Sequence, residues 1–261
     1  MEITLSALLE GKPTIIREKE YFATKEYVQP FIDEMSKFTK DFIINVQLPG
    51  QITVSNYSKD LTYNKVWIQA IMPDQCTIDG YMETYGLVYA LDARVPVYKV
   101  YRAYVNKETQ NMCVFDPSWI QVYEMKPETK LTYSIRELME KSFDIGRRLK
   151  TMKNTFISTD IEDVHEWLGK FINRALLYEQ RNAGGKVKIS PTDVVKAFES
   201  VYYDHTSHYY VQPTVEGSLH NYYGAFCSQI TNSKDIINRF EKTILVGMLF
   251  DLVEYETSDE S

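Results

Sequence analysis

VPVYKVYRAYV, residues 95–105, decides the fold. Its side chains alternate. Val95, Val97, Lys99 and Tyr101 fall on one side of an extended chain, and Tyr98, Val100, Arg102 and Tyr104 on the other. Period two with β-branched and aromatic residues specifies a strand, and the mixture of apolar and charged groups predicts a half-exposed one. Upstream, FIINVQL (42–48), QITVSNY (51–57), KVWIQAI (65–71) and GLVYAL (86–91) repeat the pattern, and NMCVF (111–115) follows it. Turn residues such as Pro49-Gly50 punctuate these runs. Consecutive short strands without helices between them imply an antiparallel sheet.

Outward from this block the period changes to 3.6. Before it, Val28, Phe31, Ile32, Met35 and Phe38 predict a helix over Thr24–Lys40, with a short strand near Thr14–Arg17 ahead of it. After Pro127, Ser134-Ile-Arg-Glu137 has the spacing of a capping box and predicts one helix running to about Thr155. Asp160 caps a second, whose apolar face is Ile161, Val164, Leu168, Phe171, Ile172 and Ala175. Ser190-Pro191 opens a third, and Ser218–Ile230 and Ser233–Val253 are two more. The fold expected is α+β: mainly antiparallel sheet in the first half, packed with or followed by a helical second half. One domain is expected over residues 1–251, with a sub-boundary near 130 as the alternative, and an acidic mobile tail over 252–261.

Composition sets bounds on function. The 261 residues carry a net charge of −7, which opposes strong general affinity for duplex DNA. No run of 18 apolar residues exists, so no spanning helix is expected. The start, MEITLSALLEGK, lacks the basic and long apolar regions of a secretory signal. Cys76, Cys113 and Cys227 are odd in number and far apart, which points to a reducing compartment. The localisation expected is cytoplasmic.

Catalytic motifs are weak. Asp204, His205 and His208, with His220 downstream, are the only grouped metal donors, and they match no paired-ligand spacing. His165, beside Glu166 and Asp163 on a helix, reads as solvated. Cys113 and Cys227 lie in apolar runs and read as small buried hydrophobes. Gly184-Gly185-Lys186 lacks the frame of a nucleotide-binding loop. No catalytic residue, metal or cofactor is assigned.

The feature that does stand out is basic. Arg136, Lys141, Arg147, Arg148, Lys150 and Lys153 fall along the helix opened by Ser134, against Glu137, Glu140 and Asp144. Arg181, Lys186 and Lys188 form a basic loop. Single-strand binders combine such cations with rings on which bases stack. Lys141, Arg147, Arg148, Lys150, Lys153, Lys186 and Lys188 are therefore candidate nucleic-acid contacts, with Tyr98, Tyr101 and Tyr104 as candidate stacking rings. The partner expected is single-stranded nucleic acid. The alternative is a host protein, motivated by the acidic net charge and by the 20 tyrosines, which suit interfaces.

Ser55-Asn-Tyr-Ser-Lys-Asp60, KVWIQAIMPD (65–74), Arg94–Val105 with Arg102-Ala-Tyr-Val, Met112-Cys113-Val114 and Gly217-Ser-Leu-His-Asn-Tyr-Tyr-Gly-Ala-Phe226, continued by Glu241-Lys242-Thr243, carry a resemblance. In this order they resemble an uncharacterised phage- or plasmid-encoded family over residues 40–250. Here Gly224 stands where that family carries Asn, and the Cys-Thr-Asn-Gly stretch is absent after Cys113. The resemblance implies a bacteriophage or mobile-element source and expression inside a bacterium. It implies no catalytic residue.

Overall fold

In the computed structural model the described residues are 14–16, 19–21, 24–38, 41–47, 65–73, 76–90, 97–124, 135–141, 144–157, 161–181, 188–202, 217–231 and 236–258. The expected α+β organisation is present: antiparallel sheet in the first half, helices in the second. The run at 51–57, the Ser55–Asp60 motif, Lys186, and the Asp204, His205 and His208 group lie outside the described residues.

A short hairpin, β1 (Thr14–Ile16) and β2 (Lys19–Tyr21), precedes helix α1 (Thr24–Phe38). The main sheet then runs β3 (Ile43–Gln47), β4 (Lys65–Ile71), β5 (Tyr81–Ala90) and β6 (Val97–Asn106), each antiparallel to the one before. The far side of β6 is shared. β8 (Ile120–Glu124) pairs with Val97–Tyr101, and β7 (Met112–Cys113) pairs with Tyr104 and Val105. β6 is therefore a central strand rather than a half-exposed one. One face of the sheet packs Val66, Ile68, Leu87, Tyr98 and Val100 against Val28, Phe31 and Met35 of α1. The other face packs Trp67, Val88, Tyr101 and Ala103 against Phe240 of the last helix. Gly86 makes room there for the Tyr101 ring. A Cβ at Gly86 would lie 2.3 Å from that phenol and 2.5 Å from the Ile68 carbonyl oxygen.

The single helix expected from Ser134 to Thr155 is two helices, α2 (Ile135–Glu140) and α3 (Ile145–Asn154). Asp144 separates them because its carboxylate accepts from the backbone N–H of Arg147 at 2.9 Å, capping a new helix. After β9 (Phe156–Ile157) come α4 (Ile161–Arg181) and α5 (Pro191–Tyr202). The Ser190 hydroxyl accepts from Asp193 N–H at 3.1 Å, the cap that Ser-Pro implied. β10 (Gly217–Ser218) pairs with β9 and leads into α6 (Leu219–Ile230), where Ser218 is the N-cap. α7 (Ile236–Ser258) continues well past residue 251. The acidic segment expected to be a tail is thus helical through Ser258. No Gly or Pro interrupts residues 251–258, and Glu and Leu there favour helix.

The two halves share a core. Tyr81, Tyr104, Cys113 and Phe115 from the strand half pack in one cluster with Ile145, Leu149, Phe171, Phe226 and Phe250 from the helices.

Candidate functional site

The rings proposed for stacking are interior. Tyr98 and Tyr101 are 0% exposed and Tyr104 is 2% exposed. They also occupy three different apolar clusters: Tyr98 under α1, Tyr101 under α7, Tyr104 beside Phe115 and Trp119. Tyr101 accepts from the Trp67 indole N–H at 2.6 Å, and burial pushes its phenol up out of the titrating range. Neither face of β6 is open to a base, because each lies beneath a helix. Tyr98, Tyr101 and Tyr104 are core residues.

The cations separate as well. α3 buries Ile145, Leu149 and Met152, and this stripe turns Arg147 and Lys150 outward to solvent. Arg148 is half-buried and close enough to the Tyr223 phenol to oppose part of its upward shift, so it lies toward the interior. Lys153 is partly exposed and pairs with Asp79 at 3.2 Å. Lys141 follows α2 rather than lying on α3, and its ammonium donates to the Ser118 carbonyl at 2.6 Å. Lys188 is exposed ahead of α5, on a separate element. The basic face reduces to Arg147 and Lys150, with Lys153 at its end. α3 itself contains four cations and no acid.

Beside Lys153 lies a cluster that sequence spacing does not disclose. The Tyr81 hydroxyl and His220 Nε2 are hydrogen-bonded at 2.8 Å, across 139 positions of sequence. Asp79-Gly80 builds the turn beneath them, with φ of 51° and 82°, and an antiparallel bridge from Ile78 to Tyr81 closes it. Two consecutive positive φ values are the geometry that Asp-Gly favours. That dipeptide is the sequence signal by which the turn could have been located. His220 enters through α6, whose start is fixed by the Ser218 cap and by the Leu219 N–H donating to the Thr155 carbonyl at 2.7 Å.

Electrostatics keep this pair neutral. Burial and the Lys153 ammonium lower the His220 pKa, with Asn221 and Asp79 opposing. Burial, chiefly, raises that of Tyr81. Both shifts favour the uncharged forms, in which the two rings share a part-buried hydrogen bond. Its consequence is pH-dependent stability. A histidine whose folded pKa is depressed leaves the unfolded chain binding more protons just below about pH 6.5. The His220 contribution is therefore complete above that pH and is lost as pH falls. Urea unfolding at pH 7.5 and 5.5 is expected to show a smaller difference for His220→Gln than for the wild-type chain. The gap cannot exceed one proton's worth, about 1.4 kcal/mol per pH unit. An equal or larger difference in the variant would contradict this account.

Among the described residues no group of three or more His, Cys, Asp or Glu side chains is placed to hold a metal ion, and no helix is long and apolar enough to cross a membrane. Comparison with known proteins finds no matching family model, no matching curated protein and no matching solved structure. The site therefore has to be read from its own chemistry: a short cationic helix face beside a neutral, packed Tyr–His junction.

Proposed function

We propose that this is a phage or mobile-element accessory protein of DNA metabolism that binds nucleic acid without catalysis, using the outward face of α3. One observation carries the reading: α3 holds four cations and no acid, and its buried stripe fixes Arg147 and Lys150 in solvent. The net charge of −7 opposes strong general affinity for duplex DNA but leaves room for a local basic surface. At physiological ionic strength charges beyond about 8 Å are largely screened, so the local surface sets phosphate affinity. The source follows the family resemblance of the strand and α6 motifs. With the rings of β6 in the core, base stacking has no part in the proposal. Contact is to the phosphate backbone, and selectivity for single strands is not expected from these residues.

Two to three phosphate contacts give a modest, salt-dependent affinity. Titration of a labelled single-stranded oligonucleotide is expected to show binding roughly 7- to 20-fold weaker at 200 mM than at 50 mM salt. Arg147→Glu combined with Lys150→Glu is expected to weaken it at least tenfold at the lower salt. Affinity that ignores both salt and the double substitution would refute the proposal.

A second reading, a module that engages a host protein, has its own support. Ile43 on β3 is 67% exposed and Val122 on β8 is 62% exposed. Both are outer strands, and among the described residues no strand pairs with their outer sides. Exposed apolar edge strands are sites where another chain can add. Under this reading a bacterial protein captured by the wild-type chain is released by Val122→Lys, which blunts the edge. Capture that is indifferent to that substitution counts against it.

A further inference from the structure

Cys113 in β7 and Cys227 in α6 are 114 positions apart in sequence, yet their sulfur atoms lie 3.9 Å apart. The odd cysteine count conceals this pairing. Both residues are buried in the same apolar cluster, whereas Cys76 packs against the cluster under α1. Two hydrogen bonds flank the sulfurs and hold the two segments in register. Tyr223, one turn before Cys227, donates its hydroxyl to the carbonyl of Val114 at 3.1 Å. Asn111 donates its side-chain amide to the hydroxyl of Ser228 at 2.8 Å. The neighbours of both cysteines are thus tied to each other directly.

We propose that Cys113 and Cys227 are an oxidative modification site, at which a small peroxide converts the thiol pair into a disulfide that clamps β7 to α6. A disulfide holds its sulfurs about 2.05 Å apart, so the pair must close by roughly 1.9 Å from its present separation. Side-chain rotation with slight relaxation is of that scale, and the flanking hydrogen bonds need not break. In the first step one sulfur attacks hydrogen peroxide. An S–O bond forms, the O–O bond breaks, and a sulfenic acid and one water result. The second sulfur then attacks the sulfenic sulfur. The S–S bond forms, the S–O bond breaks, and a second water leaves with the thiol proton. Two electrons pass from the sulfurs to one peroxide, which becomes two waters. The adjacent Cys227 thiol and burial hold the Cys113 thiol well above its ordinary pKa, so the reactive thiolate is scarce at neutral pH. The reaction is accordingly slow and accelerates with rising pH.

The test treats the full chain with hydrogen peroxide at pH 8, removes the oxidant, unfolds the protein with N-ethylmaleimide present and maps the peptides. The expected product is a Cys113–Cys227 linked peptide, with neither of these two cysteines labelled. The closed loop is long, so the unfolding midpoint is expected to rise by roughly 5–15 °C and to return on addition of dithiothreitol. Cys227→Ala is expected to show neither the link nor the peroxide-dependent rise. Where that variant fails to fold, Cys76→Ser serves: it keeps the pair and must lose both remaining maleimide sites on oxidation. Full labelling of Cys113 and Cys227 after peroxide, separate sulfinic acids on each, or a link to Cys76 would overturn the proposal.

Discussion

Gly247→Ala is expected to destabilise the protein by about 1–3 kcal/mol, although alanine is the better helix former by about 1 kcal/mol. Gly247 is interior to α7, and propensity alone assigns the substitution a gain. The packing reverses the sign. A Cβ at this position would lie 2.2 Å from the Val114 carbonyl oxygen and 3.2 Å from its carbon. The obstacle is backbone, which cannot rotate aside as a long side chain does. Either α7 lifts from the segment after β7, or that segment moves. The first course opens the layer in which Phe240 covers Trp67 and Tyr101. The second disturbs the carbonyl that accepts the Tyr223 hydroxyl, a buried bond worth about 1 kcal/mol. Urea unfolding monitored by the three tryptophans reads the result. A midpoint equal to or above that of the wild-type chain would show that α7 does not approach β7 this closely.

The same helix shows where sequence reading succeeds and where it stops. Alternation in residues 95–105 identifies β6, and 3.6-residue spacing locates α1, α4, α5 and α6 to within a few residues, because each buries a stripe of its own. What alternation cannot disclose is how many faces are covered. Tyr101 and Tyr98 read as amphipathic rings on a half-wet strand, but α7 and α1 cover opposite sides of the sheet from more than a hundred positions downstream and from far upstream. Burial is therefore decided by tertiary partners, and the stacking rings of the candidate site are lost with it. The cationic half was more legible. Ile145, Leu149 and Met152 fix the inward side of α3, so Arg147 and Lys150 had to face out. Lys141 lies off α3 because Asp144 can both occupy a helix and start one, and here the cap prevails. His220 with Tyr81 and Cys113 with Cys227 are long-range pairs, and no local spacing encodes them.

Arg102→Met is expected to cost about 3–5 kcal/mol, the range for removing one partner of a buried ion pair. Arg102 is on the α1 side of β6, diagonally across from Glu83 of β5, and both side chains are largely covered. Its Nε donates to Glu83 Oε1 at 2.6 Å, and one terminal nitrogen donates to the Lys141 carbonyl at 2.7 Å and the Leu138 carbonyl at 3.3 Å. The guanidinium also stacks over Trp119 at 4.7 Å. It thus joins the sheet to the end of α2, satisfying carbonyls that a short helix leaves without partners. Methionine fills similar volume but donates nothing. The Glu83 carboxylate would keep the Tyr85 hydroxyl, which donates at 2.7 Å, and lose its countercharge. Arg102→Lys is expected to recover less than half of the loss, since a compact ammonium cannot reach Glu83 and both carbonyls in the geometry of a planar fork. Adding Glu83→Gln to Arg102→Met removes the stranded charge, so the double variant is expected to be more stable than Arg102→Met alone by about 1–2 kcal/mol. Thermal and urea unfolding of the wild-type chain, Arg102→Met, Glu83→Gln and the double variant gives the coupling directly. Strictly additive losses would mean that Glu83 and Arg102 contribute independently, and that the guanidinium acts through the α2 carbonyls alone.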